Sequence, residues 1–343
     1  MTAEGAGRVL IVGPNWVGDM VIAQGLFKIL KHRYPEIIID VVAPRWSIPL
    51  LERMPEVNQA IDLNVQHGEL ALRRRYRLAR RLRKQGYTWS IVLPRSLKSA
   101  LVPWFARVPR RSGYLGESRY GLLNEIHALD QARMSLLVRH YAALAYPPGQ
   151  SQALGNIPSP RLNVDERCRQ DLIERLQLSL DRPIIVFAPG AQYGPAKQWP
   201  GEYFAQLAQR LQNEGFQIWV VGSGQDIEIC RHITRATGDA TLNLCARTSL
   251  QEAIDLMSLA DAVVTNDSGL MHIAAALERP MVAIFGSSTP DYTPPLGAKE
   301  HTRIMHLGLD CSPCFKRQCP LGHLDCLRQI GVGDVFEAVR TLV

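Results

Sequence analysis

The chain has 343 residues, of which 46% are hydrophobic and 21% charged, and its formal net charge is +7 at pH 7. This length exceeds what one hydrophobic core usually holds, so we expect two domains. No apolar run reaches the roughly 18 to 20 residues of a membrane-spanning helix, and the start of the chain lacks the features of a signal peptide. We therefore expect a cytoplasmic globular protein.

Strand and helix patterns alternate through the first part of the chain. The predicted elements are a strand at Arg8–Val12, a helix from Met20 to about Arg33, a strand at Ile37–Val42, a helix over Leu78–Lys84 and a strand at Trp89–Leu93. This alternation is typical of a parallel sheet with helices on its faces.

The loop after the first strand has the glycine spacing of a phosphate-binding P-loop, from Gly13 to Gly18. Asp19 stands where that motif requires lysine, and a carboxylate repels phosphates. The dinucleotide-binding glycine pattern is also absent from this loop. We interpret Asp19 as a group for proton transfer, kept ionised by the start of a helix; the alternative is an ordinary first-turn residue.

The first half of the chain is strongly basic. Its cations are concentrated in Arg73–Lys84 and continue with Arg95, Lys98, Arg107, Arg110, Arg111 and Arg119. Such a field suits nucleic acid, an anionic membrane surface or a phosphorylated acceptor, although a charge run is also typical of a solvated helix face.

A segment rich in proline and glycine, Tyr146–Arg161, is the predicted linker between residues 1–160 and 161–330. A second set of buried-type strands follows it, at Pro183–Ala188, Phe216–Val221, Asp261–Thr265 and Met281–Phe285. The predicted fold class is therefore α/β, with two doubly wound Rossmann-like domains facing a central cleft. Ligands are expected at the carboxyl ends of the strands.

Three strand-end loops of the second half have the residues of a nucleotide diphosphate site. The first holds Gly190, Ala191 and Lys197, whose ammonium suits a diphosphate, although a single loop lysine is often just exposed. The second holds Gly222 and Asp226, where an acidic group can accept hydrogen bonds from ribose hydroxyls.

The third loop joins a strand directly to an apolar helix through Asp267, Ser268 and Gly269. The unpaired N–H groups at a helix start favour a phosphate; the alternative is that Asp267 or Ser268 only caps the helix. His272, one turn later, can reach a ligand there or can be a core histidine.

Four of the seven cysteines, Cys311, Cys314, Cys319 and Cys326, fall within sixteen residues. In a chain expected in the cytoplasm such clustering suggests a metal before it suggests disulfides. The spacing does not form two C-x2-C pairs, so a structural zinc site and reduced thiols that pack a loop both remain open.

Several of these motifs together resemble glycosyltransferase family 9, the heptosyltransferases. They are Gly13–Met20, Arg53–Asn58, Ser99–Pro103, Arg119–Asn124, Pro189–Ala191, Gly194–Lys197 and Thr265–His272, and the resemblance covers nearly the whole chain. It implies a GT-B fold with an acceptor-binding first domain and a donor-binding second domain. It also implies that the last helix, about Val332 to Leu342 within residues 331–343, packs back on the first domain.

The resemblance further implies transfer of L-glycero-D-manno-heptose from ADP-heptose to the first heptose of the lipopolysaccharide inner core, with inversion. Asp19 matches the general base, Lys197 a lysine on the donor phosphates, and Asp267–Gly269 the donor-binding turn. This scheme needs no metal, although magnesium could stimulate it by screening phosphate charge.

The heptosylated Kdo-lipid A acceptor is anionic and lies in the cytoplasmic leaflet of the inner membrane. Residues expected to bind its anionic groups are Arg95, Lys98, Arg110, Arg111 and Arg119, while Arg73–Lys84 would hold the protein peripherally near anionic lipid. Alternatives are another nucleotide-sugar transferase of the same family, a Rossmann-type oxidoreductase, which lacks its fingerprint here, and a nucleic-acid-binding protein. We expect no nucleic-acid partner, because no basic module with interspersed aromatic residues is visible.

Overall fold

The computed structural model describes residues 7–65, 68–129, 134–150, 154–238, 241–297 and 299–343. The chain divides into two compact units, Met1–Pro160 and Arg161–Val343. The division falls at the end of the segment predicted as the linker, of which residues 151–153 lie outside the described residues. Within the described residues, no helix combines the length and the apolar character needed to cross a membrane.

The first unit is built on a six-stranded parallel sheet. Its strands are β1 (Arg8–Val12), β2 (Ile38–Ala43), β3 (Val57–Asp62), β4 (Trp89–Val92), β5 (Arg110–Tyr114) and β6 (Glu125–His127), and its helices are α1 (Val17–Arg33), α2 (Ile48–Leu51), α3 (Leu72–Leu82), α4 (Leu101–Phe105) and α5 (Leu137–Ala143). The spatial order is β3-β2-β1-β4-β5-β6.

Strands β1, β2 and β4 are mainly apolar and almost fully buried, as expected for strands covered on both faces, and Asp40 and Ser90 are buried with them. Helix α3 buries Leu78, Ala79 and Leu82, and these side chains pack with Val102 and Ala106 at α4. Strands β3, β5 and β6 were not predicted from the sequence. These edge-side strands have polar or charged residues where the inner strands are apolar.

The second unit contains another six-stranded parallel sheet. Its strands are β7 (Ile184–Ala188), β8 (Gln217–Val220), β9 (Thr241–Asn243), β10 (Ala262–Asn266), β11 (Met281–Ile284) and β12 (Thr302–Met305), and its helices are α6 (Glu166–Leu176), α7 (Gly201–Asn213), α8 (Ile227–Thr237), α9 (Leu250–Met257), α10 (Gly269–Ala276), α11 (Asp325–Arg328) and α12 (Val332–Arg340). The spatial order is β12-β11-β10-β7-β8-β9.

Both sheets reverse their winding direction between two central strands. In the first unit the reversal lies between β1 and β4, and in the second between β7 and β10. Loops that leave such a pair of strands diverge, which opens a crevice at the carboxyl ends of the strands. The loop of Asp19 follows β1, and the loops of Lys197 and Asp267 follow β7 and β10, so all three lie at a reversal point.

Helix α12 was expected to pack back on the first domain. Its apolar face packs within the second unit, because Val332, Val335 and Val339 lie in the core of that unit. These valines form one stripe of the helix, which packs against α7 and β11. Just before the helix, the Ile330 carbonyl accepts a hydrogen bond from Trp199 Nε1 at 3.0 Å.

Candidate active site

Lys197 and Asp267, both predicted at the donor, form one ion pair. Lys197 Nζ lies 2.5 Å from Asp267 Oδ2, and the two side chains are only 17% and 4% exposed. The same carboxylate oxygen accepts a hydrogen bond from the hydroxyl of Ser288, after β11. Because an ammonium has three donors, this pair fixes Lys197 in position and leaves two of its N–H groups for a ligand.

The start of helix α10 is not capped by its own side chains. Ser268 is the N-cap residue and makes no side-chain capping bond, and the Asp267 carboxylate is occupied by Lys197 and Ser288. The Ser268 hydroxyl is buried and has no hydrogen-bond partner within the described residues. A buried polar atom without a partner is costly, so a ligand oxygen at this helix start would satisfy both the hydroxyl and the free N–H groups.

Asn266 joins the loops around Lys197 and was missed by the sequence analysis. Its side chain is fully buried. Nδ2 donates to the Pro189 carbonyl at 2.7 Å, and Oδ1 accepts from the Trp199 N–H at 3.0 Å. One amide therefore holds the loop after β7 to the end of β10. Asparagine at the end of a buried strand was the signal that could have revealed it.

Gly190, Gly222 and Asp226 lie together at the ends of β7 and β8, as predicted. A Cβ on Gly190 would stand 2.3 Å from the Asp226 carboxylate, and one on Gly222 would stand 3.0 Å from Asp226 Cβ. Asp226 Oδ2 accepts from the N–H and the hydroxyl of Ser223 at 2.8 and 2.7 Å. The carboxylate is thus held in place against the loop of Gly190 and the buried Ala191.

His272 fits the interpretation as a core histidine better than contact with a ligand. Its ring is 5% exposed. Burial lowers its pKa to about 4, with Asp267 raising the pKa and Lys197 lowering it further. The imidazole is therefore neutral near pH 7.

The cysteine-rich segment packs against the lysine loop. The N–H of Ala196 donates to the Arg317 carbonyl at 3.1 Å, and Tyr193 Oη donates to the Phe315 carbonyl at 2.7 Å. Lys197 Nζ and the Arg317 guanidinium lie 5.1 and 5.3 Å from the centre of the Tyr193 ring. Arg317 thus adds a second cation near Lys197, and nothing in its local sequence pattern identified it.

All seven cysteines are free thiols. Burial raises the pKa of Cys326 to about 11, and the neighbouring thiols of Cys311, Cys319 and Cys314 raise it further. The N–H of Leu324 lowers the pKa of Cys319. Across the described residues, no three His, Cys, Asp or Glu side chains are grouped to hold a metal ion.

In the first unit, Asp19 lies in the first turn of α1, at the carboxyl end of β1. The turn before it is tight, because a Cβ on Gly13 would stand 2.6 Å from Met20 Cε. Asp19 is half-buried, and the loop of Arg95 and Lys98 follows the neighbouring strand β4. A carboxylate and two cations therefore share one edge of this sheet.

Arg119 was predicted to bind an acceptor, but the structure gives it a structural role. Its side chain is fully buried. It donates to the carbonyls of Pro94, Ser96 and Tyr114 at 2.7, 3.1 and 2.5 Å, and to Ser99 Oγ at 3.1 Å. Burial lowers its pKa to about 10, and Arg95 lowers it further. Arg119 therefore positions the loop that carries Arg95 and Lys98.

Arg110 and Arg111 were grouped with Arg95 and Lys98 as acceptor-binding residues, but the structure does not bring the two pairs together. They begin β5, and Arg110 pairs in register with Trp89, the first residue of β4. They therefore lie at the amino-terminal edge of the sheet, opposite to Asp19. Arg110 pairs with Glu125 at 2.8 Å, and Arg111 donates to the carbonyls of Leu122 and Val108.

The comparisons with known proteins show the family of this chain. Residues 75–325 match the family model for glycosyltransferase family 9 (heptosyltransferase). The chain is 44% identical to lipopolysaccharide heptosyltransferase 2 of Salmonella typhimurium and 46% identical to that of Escherichia coli, over 98% of this chain and 98% of each relative. The structure of E. coli ADP-heptose lps heptosyltransferase II matches with a TM-score of 0.87 and 42% identity, covering 98% of both chains. The predicted α/β fold of GT-B type is confirmed.

Proposed function

Because this chain belongs to glycosyltransferase family 9, we propose that it is an inverting glycosyltransferase that moves L-glycero-D-manno-heptose from ADP-heptose to the first heptose of the lipopolysaccharide inner core. Among the observations on the site, the one that carries this proposal is the arrangement at the reversal point between β7 and β10. There a half-buried lysine, a buried hydroxyl without a partner among the described residues and a helix start without a side-chain cap converge.

The donor diphosphate binds at the start of α10. Lys197 gives its two remaining N–H groups to the phosphate oxygens, and Ser268 and the N–H groups of the first helical turn supply further donors. Negative charge grows on the diphosphate as the bond to the heptose breaks. Fixed donors that already point at this charge lower the barrier, because they need no reorganisation during the reaction. Asp267 acts through Lys197 as a positioning residue.

The nucleoside lies along the ends of β7 and β8. The absence of a side chain at Gly190 and Gly222 lets the Asp226 side chain pack directly on these two loops, and Asp226 is thereby held where it can accept from ribose hydroxyls. His272 is a buried, neutral ring within α10 and packs at the start of this helix. We expect no proton transfer from it near pH 7.

Asp19 is the proposed general base. It takes the proton from the acceptor hydroxyl as the oxygen attacks the anomeric carbon, on the face opposite to the departing diphosphate. Attack from that face inverts the configuration. Arg95 and Lys98 bind anionic groups of the heptosylated Kdo-lipid A acceptor, and we place this reaction at the cytoplasmic surface of the inner membrane, with the protein bound peripherally.

The transfer requires no metal in this proposal, because Lys197 and the helix start supply the positive charge. Added magnesium would stimulate the reaction modestly by screening the phosphates. Chelation with EDTA should therefore leave most of the turnover, and a complete and reversible loss would assign a metal to the reaction.

The test is turnover of a panel of nucleotide sugars with a heptosylated acceptor, followed by ADP release and by the mass of the product. We expect ADP-heptose to be used, and the non-heptosylated acceptor to remain unmodified. Use of another nucleotide sugar in preference to ADP-heptose would place the protein elsewhere in the family. Thermal stabilisation by NAD rather than ADP would contradict a transferase.

A further inference from the structure

A cationic pocket lies in the first unit, between α3 and α4, apart from the candidate active site. It encloses about 840 Å³, and its five cations are Arg80, Arg83, Lys84, Arg107 and Arg111. None of the described residues that line it is a carboxylate. Nothing in the proposed transfer uses this pocket.

The lack of a carboxylate distinguishes the pocket end of α3 from other charged helix surfaces in the described part of the chain, and from the start of α3 itself, where Arg74 pairs with Glu69. Arginines on α6, α8 and α12 pair with glutamates three positions away. Arg80, Arg83, Lys84 and Arg107 are exposed, and no ion pair joins them to any other described residue. Like charges that share a pocket repel one another, and a bound anion relieves this repulsion. The pocket is therefore more than a solvated helix face.

The rest of the lining is aromatic. Tyr76 and Trp104 are 47% and 43% exposed. Their rings meet on Phe105, with centroid distances of 5.3 and 4.9 Å. No basic module with aromatic residues was visible in the sequence. The fold creates such a module, because α4 brings Trp104 and Phe105 beside the arginines of α3.

Exposed aliphatic residues continue the aromatic surface. Leu72 lies one helical turn before Tyr76 and is 48% exposed, and Leu70 is 52% exposed. Tryptophan and tyrosine favour the interface between lipid headgroups and acyl chains, and leucine enters the acyl region. Stacked bases would also suit the rings and the cations, but they would leave these leucines in water. The residue composition of this surface therefore favours a membrane over a nucleic acid as its partner.

The pocket is remote from the carboxyl edge that carries Asp19. Helix α3 ends where the chain turns into the amino end of β4, and Arg107 and Arg111 lie at the amino end of β5. Asp19, Arg95 and Lys98 lie at the opposite ends of these strands. A ligand in the pocket therefore leaves the proposed acceptor edge open.

We propose that this pocket binds the phosphate of an anionic phospholipid and docks the protein on the bilayer, with Tyr76 and Trp104 in the headgroup region. The inference rests on the proposed function in one respect, since a lipid-anchored acceptor brings the protein to a membrane. It specifies which surface makes that contact. The headgroup phosphate lies among Arg80, Arg83, Lys84 and Arg107, and the leucines face the acyl chains.

The experiment measures binding of the full-length protein to vesicles of phosphatidylglycerol and phosphatidylcholine in equal parts, against phosphatidylcholine alone. Arg80→Gln/Arg83→Gln is compared with Arg73→Gln/Arg77→Gln, which removes the same charge from exposed positions of the same helix outside the pocket. At about 1 kcal/mol for each basic residue, the pocket variant should bind the anionic vesicles about tenfold or more weakly. The control should lose clearly less.

Trp104→Ala separates the apolar contribution from charge. It should weaken binding to anionic vesicles several-fold without altering the salt dependence. Equal losses in both double variants would overturn the pocket in favour of a general charge effect, and a wild-type protein that ignores anionic vesicles would overturn the docking. Tight binding of single-stranded DNA that only the pocket variant loses, without vesicle binding, would assign the pocket to nucleic acid.

Transfer to a deacylated, water-soluble acceptor keeps this inference separate from the proposed function. The pocket variants should retain that transfer and the wild-type unfolding temperature. If the wild-type protein binds anionic vesicles through the pocket but transfers no heptose, the proposed function fails and the docking stands. If transfer proceeds but the vesicles are ignored, only the docking fails.

Discussion

The two reversal points of this protein are built in different ways. Between β7 and β10, the proposed donor-binding residues Lys197 and Asp267 bond to each other. Asn266, at the end of β10, bonds to the loop after β7. Between β1 and β4, Asp19 and Lys98 are half-buried and Arg95 is exposed, and the buried scaffold is a separate residue, Arg119. A site for one constant nucleotide can be fixed in advance, whereas a site for a large saccharide needs accessible charges on a rigid support.

The largest effect expected from this contrast is that of Asp19→Asn. The amide keeps the shape of the side chain but accepts no proton, so single-turnover transfer should fall by about 10²- to 10⁴-fold. Affinity for ADP-heptose, measured by calorimetry, should persist because the donor residues lie on the other unit. Glu36→Gln, an exposed carboxylate before the amino end of β2, is the matched control and should be neutral. Transfer that survives within about tenfold would leave Asp19 as an ordinary helix residue.

Lys197→Ala tests the site between β7 and β10, where the residues are held in place before a ligand binds. Loss of the cation that meets the growing negative charge should lower turnover by about 10²- to 10³-fold, equivalent to about 3 to 4 kcal/mol. The KM for the acceptor should change little. Lys299→Ala, on an exposed segment before β12, serves as the control. Wild-type turnover at saturating ADP-heptose would exclude Lys197 from the site.

Arg119→Met tests whether the first unit depends on a structural arginine. The change leaves buried carbonyls of Pro94, Ser96 and Tyr114 without their donor, so the free energy of unfolding should fall by about 2 to 4 kcal/mol. Arg81→Met, on the exposed side of α3, should cost less than about 0.5 kcal/mol. Urea unfolding measures both. A stable Arg119 variant with a raised KM for the acceptor would restore the original assignment of Arg119 to substrate binding.

The smallest expected effect is the contribution of His272 to the pH dependence of the free energy of unfolding. The folded protein holds this imidazole at a pKa of about 4, below the ordinary value of 6.5. The unfolded chain therefore binds a proton below pH 6.5 that the folded protein does not, and stability falls as the pH is lowered from 6.5 towards 4. Between pH 7 and pH 5 the loss amounts to about 2 kcal/mol.

The check on this prediction is His272→Gln, a neutral side chain at every pH, compared with the wild type by urea unfolding at both pH values. The variant should lose correspondingly less stability between pH 7 and pH 5. Identical acid sensitivity of the two proteins would place the titrating group elsewhere.

Much of the fold followed from apolar runs, because buried parallel strands such as β1 and β10 are recognisable without their partners. Strand β5 was not recognisable, since it opens with Arg110 and Arg111 and is stabilised by pairing across the sheet. The loops of Lys197 and Asp267 were predictable from their place after strands. Their bond to each other was not, because 70 residues separate them.

The burial of Arg119 could not be read from the sequence either. An arginine in a polar loop resembles a ligand contact, and only its environment distinguishes the two roles. The same holds for Tyr76 and Trp104, which approach each other only through the packing of α3 on α4. Long-range contacts were therefore the main source of error, while the local patterns correctly predicted the inner strands of both sheets.

The pairing of Lys197 with Asp267 also bears on selectivity in the empty protein. Lys197 already has a counter-ion there, so its charge is largely balanced before a ligand binds, and inorganic phosphate meets only its two remaining N–H groups. A lone anion gains little from these two bonds, whereas ADP-heptose adds the contacts of its nucleoside and sugar. When the product leaves, the carboxylate remains beside the ammonium, so the desolvated cation is never left isolated and each cycle begins from the same arrangement.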